Sequence, residues 1–337
     1  MRYFLLAFLC FWTAALSAKT VYIVNIGGID SSKYFYDYNF YRDEVSKPFV
    51  LLREAIEKAG FTVKFTSDCS RMIDVAAVIS INDTDRKLIS NLMRHPKEKC
   101  FLLISEPPVV LPQPHDRKMI EYFGKIFTHF DDFIDNQHYF KYYFPQPRLK
   151  MIDNLPNFWE KKLCTLINCN KDFKHPKALY GERRKVISFF TETGEFDLYG
   201  IDWGGYPAWK GPVQAKWDVL KNYKFCFCYE NMCEQRGYIT EKIFDALVAG
   251  CVPIYWGATN IADYIPKECF VDRRDFASEN DLYQFIKNID RETHASYVEA
   301  IRNFLASSQA QLFSSEKFVE IIMDSILSVN PENRRNQ

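Results

Sequence analysis

Glu230, Asn231, Tyr238, Glu241 and Lys242 are among the polar side chains that punctuate the apolar runs of residues 224–276, KFCFCYENMCEQRGYITEKIFDALVAGCVPIYWGATNIADYIPKECFVDRRDF. Residues 224–229 form an apolar run of β character that stops at Glu230 and Asn231, and after Thr240 the apolar Ile243, Phe244, Leu247 and Val248 recur at helical spacing. Thr240 is an N-cap by type and Gly250 a helix stop, and residues 252–256 read as the next strand. The unit is therefore β-α-β, with Glu241 and Lys242 in the first helical turn. A glutamate suits the positive end of the helix dipole. A lysine opposes it, at a cost of about 0.3–1 kcal/mol if it does nothing else. Bound diphosphate would turn that penalty into affinity, because free N–H groups and a lysine together make an anion site. The competing explanation is a solvated lysine on a surface helix.

Two more polar groups stand where an apolar pattern should continue. Glu106 follows the apolar run 101–105, and two prolines fix the chain directly after it. The carboxyl end of a strand in an open α/β sheet is where ligands bind, so Glu106 is a candidate general base as well as a candidate surface glutamate. Taking residues 177–190 as a helix puts Arg183 on the face of Leu179, Val186, Ile187 and Phe190. A buried arginine needs an anion, supplied either by a ligand or by a structural carboxylate. Arg184 lies off that face and is expected in solvent.

The run YEN, Tyr238-Ile239-Thr240-Glu241-Lys242, Ala246, Gly250-Cys251-Val252-Pro253-Ile254, Gly257 and IPKECFVDRRDF resembles the signature of the family 10 glycosyltransferases, the α1,3/4-fucosyltransferases. The likeness continues upstream through FDLYGIDWGG and NKDFKHPKALYGERRKVISFF to about residue 162, and before that it rests on Ser105-Glu106-Pro107. It implies a GT-B architecture of two Rossmann-like lobes facing a cleft. It also implies inverting transfer of L-fucose from GDP-β-L-fucose to a glycan hydroxyl, O3 of N-acetylglucosamine (GlcNAc), with an α1,3 linkage favoured over α1,4. By the same resemblance Glu106 is the general base, Arg183, Tyr238 and Lys242 hold the diphosphate, Glu241 meets the ribose and Asn231 lines the pocket. No metal or other cofactor is required. This chain departs from the pattern in the loop 231–238, which is one residue longer than usual and carries Met232 where serine is common.

These residues need scaffolds, and the rest of the chain supplies candidates. From residue 20 to about 144, strands at 21–26, 61–65, 75–81, 100–105 and 125–130 alternate with helical patterns at 49–59 and 116–123, and Gly27-Gly28 follows the first strand. After a proline-broken stretch at 145–156, strands at 163–168, 196–199, 225–229 and 252–256 repeat the pattern, closed by helices after Ser278. The fold class is α/β, with an acceptor-side lobe at 19–155 and a GDP-fucose-binding lobe at 156–330.

With 337 residues, 47% of them hydrophobic, the chain can fill two cores, and a formal net charge of zero with no basic tract excludes a nucleic-acid partner. Residues 1–18 carry one arginine, an apolar run and small residues at 15–18, which reads as a signal peptide or an uncleaved signal anchor. Export to a Golgi-like lumen, or to a bacterial cell envelope, is the expectation. The ten cysteines contain no Cys-x-x-Cys pair, and Asn82-Asp83-Thr84 is a glycosylation sequon. Asp83-Thr84-Asp85 also matches the metal-binding Asp-x-Asp of GT-A enzymes; the reading preferred here is a helix capped by Asp83 or Thr84. A third possibility is an exported glycan-binding protein that kept the fold and lost turnover.

Overall fold

A computed structural model of the chain describes residues 18–24, 31–40, 42–66 and 69–336, so all but the last residue of the segment 1–18 read as a signal peptide or anchor, and Gly27-Gly28, lie outside the described residues. The first lobe is a six-stranded parallel sheet of β1 (Thr20–Val24), β2 (Thr62–Thr66), β3 (Val75–Ile81), β4 (Cys100–Ile104), β5 (Lys125–Thr128) and β6 (Tyr139–Lys141), in the order β2-β1-β3-β4-β5-β6. The second holds β7 (Lys162–Ile167), β8 (Phe196–Tyr199), β9 (Tyr223–Tyr229), β10 (Val252–Trp256) and β11 (Val271–Asp272), in the order β11-β10-β9-β7-β8, again all parallel.

Helices α1 (Ser31–Tyr36), α2 (Lys47–Lys58) and α3 (Arg86–Leu92) serve the first lobe. The second has α4 (Tyr180–Thr193), α5 (Lys216–Leu220), α6 (Glu241–Val248), α7 (Glu279–Lys287), α8 (Arg291–Leu305) and α9 (Ser308–Gln311), and the chain ends in α10 (Ser315–Ser328). Strand residues alternate between two cores in the first lobe. Val21, Ile23, Phe101 and Leu103 face one, and Tyr22, Val24, Leu102 and Ile104 face the other. Both faces are therefore covered, as parallel sheets require. That is the doubly wound pattern expected from the sequence.

Three local expectations are corrected. Residues 116–123 form no α-helix but a five-residue 3-10 turn, Arg117–Glu121; the Gly124 N–H donates to the carbonyls of Lys97 and Cys100, 2.9 Å each, and bends the chain into β5 before a longer helix can form. Asp85, rather than Asp83 or Thr84, is the N-cap of α3 and accepts from the Leu88 N–H at 2.7 Å. Helix α10 does not close the second lobe. Its Phe318, Ile322, Met323, Ile326 and Leu327 pack into the first lobe's core with Leu52, Ile56 and Ala77. The chain thus crosses between the lobes twice. The two crossings touch where Gln146 N–H donates to the Phe313 carbonyl (2.7 Å) and the Ser315 hydroxyl donates to the Gln146 carbonyl (2.8 Å).

Candidate active site

The carboxyl end of β9 opens on the cleft between the lobes, and three elements bring charge to it. From α4 comes Arg183, 4% exposed, on the same face as Leu179, Val186, Ile187 and Phe190, all of them buried. Its Nη2 donates to the carbonyls of Tyr229 (2.7 Å) and Glu230 (2.8 Å) and to Asn231 Oδ1 (3.1 Å), while the guanidinium lies 4.9 Å from the centre of the Tyr180 ring. No acidic side chain among the described residues forms an ion pair with it. Burial lowers its pKa, and the neutral oxygens around it leave its charge largely uncompensated. Arg184, by contrast, reaches outward to Asp172 and Asn170.

Helix α6 presents the second cation. Lys242 Nζ lies 3.0 Å from Thr240 Oγ1, 3.3 Å from Glu241 Oε1 and 3.4 Å from Glu230 Oε2. It is no idle lysine fighting the helix dipole. Burial works to lower its pKa, but the two carboxylates outweigh that and raise it. Burial likewise pushes Glu241 up, and Lys242 and Lys216 pull it down to about 2.

Glu230 explains the odd cap. Its carboxylate, 0% exposed, accepts from the Thr240 N–H (2.8 Å) and the Thr240 hydroxyl (2.7 Å), so the hydroxyl of Thr240 is turned away from the helix N–H groups. The Thr240 side chain therefore does not cap α6, and the Glu230 carboxylate is occupied by Thr240 and Lys242. Gly257 makes room for it: a Cβ there would sit 2.5 Å from Glu230 Cγ and from the Tyr255 hydroxyl oxygen.

Across the cleft, Glu106 leaves the end of β4. Its carboxylate accepts no hydrogen bond among the described residues. Burial raises its pKa, and Lys242 pulls the other way. Glu106, Arg183, Asn231, Glu241 and Lys242 all line one cleft, together with Lys171 and Tyr180. Five basic side chains against three acidic ones give that lining a positive balance suited to an anion.

Tyr238 is the exception. It is 1% exposed and lies outside the cleft lining, packed between the lobes against His129 and Phe130, with ring centres 5.2 and 5.6 Å away, and against Met232. The loop 231–238 is therefore partly a lobe junction. Its neighbour Asn260 accepts from the Gly237 N–H (2.9 Å) and donates to Asp131 (2.9 Å), and Asp131 also takes the Tyr264 hydroxyl at 2.7 Å and Lys141 at 2.5 Å.

Sequence reasoning missed the far wall. Asp245, inside the apolar part of α6, accepts from Lys216 Nζ (2.5 Å) and Trp217 Nε1 (3.2 Å), and Asp43 of the first lobe accepts from the Lys216 N–H (2.9 Å). An acid inside the run Ile243–Val248 was the available signal for Asp245; nothing local marks Asp43 or Lys216. The Asp-x-Asp pair is spent on a turn, with Asp83 accepting from the Asp85 N–H (3.0 Å) and Asp85 capping α3. Among the described residues no cluster of metal-ligating side chains forms, and no helix is long and apolar enough to cross a membrane.

Two parallel α/β lobes with a cleft of positive balance at their strand ends define the GT-B fold. The solved α1,3-fucosyltransferase with GDP shares this fold over 93% of the chain and 92% of its own length, with a TM-score of 0.57 and 15% identity. Within the second lobe, residues 159–302 match the family model described as "Glycosyltransferase family 10 (fucosyltransferase) C-term". The α-(1,3)-fucosyltransferase of Helicobacter pylori is 39% identical over 25% of the chain and 17% of its own length. The 4-galactosyl-N-acetylglucosaminide 3-α-L-fucosyltransferase 9 of Mus musculus is 30% identical over 43% of the chain and 38% of its own length. The matched stretches thus span well under half of these relatives.

Proposed function

We propose that this protein is an inverting fucosyltransferase that moves L-fucose from GDP-β-L-fucose to a glycan hydroxyl, O3 of N-acetylglucosamine, in α1,3 linkage. One observation carries the reading: a buried arginine bonded to neutral oxygens and a lysine at a helix N-terminus line one cleft with a partly buried glutamate whose carboxylate has no hydrogen bond among the described residues. Arg183, Lys242 and the α6 N–H groups would hold the diphosphate and neutralise the charge gathering on it as the fucose–phosphate bond breaks. Glu106 would take the proton of the attacking hydroxyl, and its raised pKa makes it a better base. Glu241, held ionised, would accept from the ribose hydroxyls, and Asn231 would line the pocket while its Oδ1 accepts from Arg183. Tyr238 serves the diphosphate from below, by packing the floor of the loop that carries Asn231.

Leaving-group stabilisation by these cations needs no divalent metal. The apolar leader suits a protein delivered to a secretory lumen or cell envelope, where glycan acceptors are found. The test is incubation with GDP-fucose and a panel of N-acetyllactosamine-type glycans, with and without chelator, reading GDP release and product linkage. Fucosylated product with released GDP supports the proposal. Glycan binding without GDP release would make the chain a lectin, and dependence on Mn²⁺ would overturn the metal-free mechanism.

A further inference from the structure

The side chain of Glu106 accepts no hydrogen bond among the described residues, but its backbone is held from both sides by residues that nothing so far has given a role. Asn82 follows β3 with a left-handed φ of 57°, which asparagine tolerates better than most residues. Its Oδ1 accepts from the N–H groups of Ser105 (2.8 Å) and Glu106 (3.2 Å), its Nδ2 donates to the Ser105 hydroxyl (2.6 Å), and its own N–H donates to the Leu103 carbonyl (2.9 Å). From the other side His115 Nε2 donates to the Glu106 carbonyl at 2.9 Å. That bond fixes the tautomer and leaves His115 Nδ1 buried without a partner, a state favoured by the neutral ring that burial enforces. One more bond, from the Tyr142 hydroxyl to the Ile104 carbonyl (2.9 Å), anchors the strand end just before it.

We infer that Asn82 and His115 are positioning residues that aim Glu106 at the acceptor hydroxyl. The inference rests on the reading of Glu106 as general base. With no hydrogen bond to its carboxylate among the described residues, the direction of Glu106 is set through its Cα by the backbone bonds on either side. The same geometry gives the sequon a different meaning. Nδ2 of Asn82, the atom a glycan would modify, is committed to Ser105 inside the clamp.

The test compares Asn82→Ala, Asn82→Asp, His115→Ala, Glu106→Gln and the double variant Asn82→Ala with Glu106→Gln. Asn82→Ala and His115→Ala should lower kcat by up to roughly 100-fold, the cost of misplacing a reacting group by about 1 Å, with KM for GDP-fucose changed by less than about threefold. Asn82→Asp keeps the acceptor oxygen but adds a negative charge beside Glu106, so it should retain more activity than Asn82→Ala. Its acid limb of kcat/KM should move to higher pH, which a merely structural role would not produce. The double variant should be no slower than Glu106→Gln. By mass spectrometry Asn82 should stay unmodified when the protein is secreted from a glycosylating host.

Wild-type kcat in Asn82→Ala, an unmoved acid limb in Asn82→Asp, a double variant much slower than Glu106→Gln, or a fully glycosylated Asn82 in active enzyme would each overturn the inference. If Glu106→Gln itself stays active, the general-base reading has failed, and the inference falls with it.

Discussion

Replacing Lys242 with methionine isolates the anion site, because methionine keeps the length of the side chain and removes its charge. A charge-assisted hydrogen bond contributes about 1.5–3 kcal/mol, and each 1.4 kcal/mol is tenfold, so GDP should bind roughly 10–150-fold more weakly. Guanosine lacks the diphosphate and should bind Lys242→Met as well as wild type. The protein itself should also lose stability, since Lys242 is the basic partner in Glu230's ion pair and Glu230 is fully buried. Removing one member of such a pair costs up to about 3 kcal/mol, limited here by Glu230's raised pKa, which lets it take up a proton instead. Adding Glu230→Gln should therefore restore melting temperature without restoring GDP affinity. Titration calorimetry with GDP and guanosine, alongside thermal melts, separates the two effects. GDP affinity within twofold of wild type would refute the placement of the diphosphate, and equal weakening of guanosine would show that the substitution had simply collapsed the site.

Other changes test the remaining parts. Glu106→Gln should lower kcat by roughly 10²–10⁴-fold while leaving GDP affinity intact, as loss of a general base does. In the wild type, the acid limb of kcat/KM should lie above the ordinary glutamate range, because burial raises the pKa of Glu106 and the base is lost as pH falls through that raised value. Asp131→Ala should cost about 2–3 kcal/mol by removing the acceptor for Lys141, Asn260 and Tyr264 between the lobes. Burial pushes Asp131 up, but those partners hold it below its ordinary pKa; the contribution is thus present above about pH 4, and the melting-temperature gap to wild type should shrink as pH drops below that. Gly257→Ala should weaken both stability and GDP binding, since its Cβ displaces Glu230 and Tyr255, and urea denaturation with a GDP titration checks both.

How much of this was legible without coordinates varies by residue. Arg183 could be placed because a helix repeats every 3.6 residues, and that period alone puts it with Val186, Ile187 and Phe190 on the buried face. Glu106 could be placed because the strand before it is uniformly apolar and two prolines end it. Tyr238 was harder. A tyrosine beside Gly237 has no pattern to belong to, and only the meeting of the loop 231–238 with His129 and Phe130 of the other lobe shows that it is buried. The role of Glu230 could not be read locally, because its partner Thr240 lies ten residues on, across a loop whose path the sequence does not encode. The same holds for α10, whose apolar stripe would fit either lobe; the cavity left over α2 and the first sheet decides which.

Periodicity and end signals in the chain determined the elements: two parallel α/β series, the β-α-β unit that offers Lys242 at a helix start, and the strand end that offers Glu106. Those follow from local sterics and the alternation of apolar residues, which act within a few residues of one another. Tertiary structure alone decided how the offered charges are balanced. Lys242 pairs with Glu241 and with Glu230 just after β9, Arg183 is left among carbonyls, and the Glu106 N–H is held by Asn82 just after β3. Electrostatic balance depends on distances between segments far apart in the chain, and only the packed sheets set those distances.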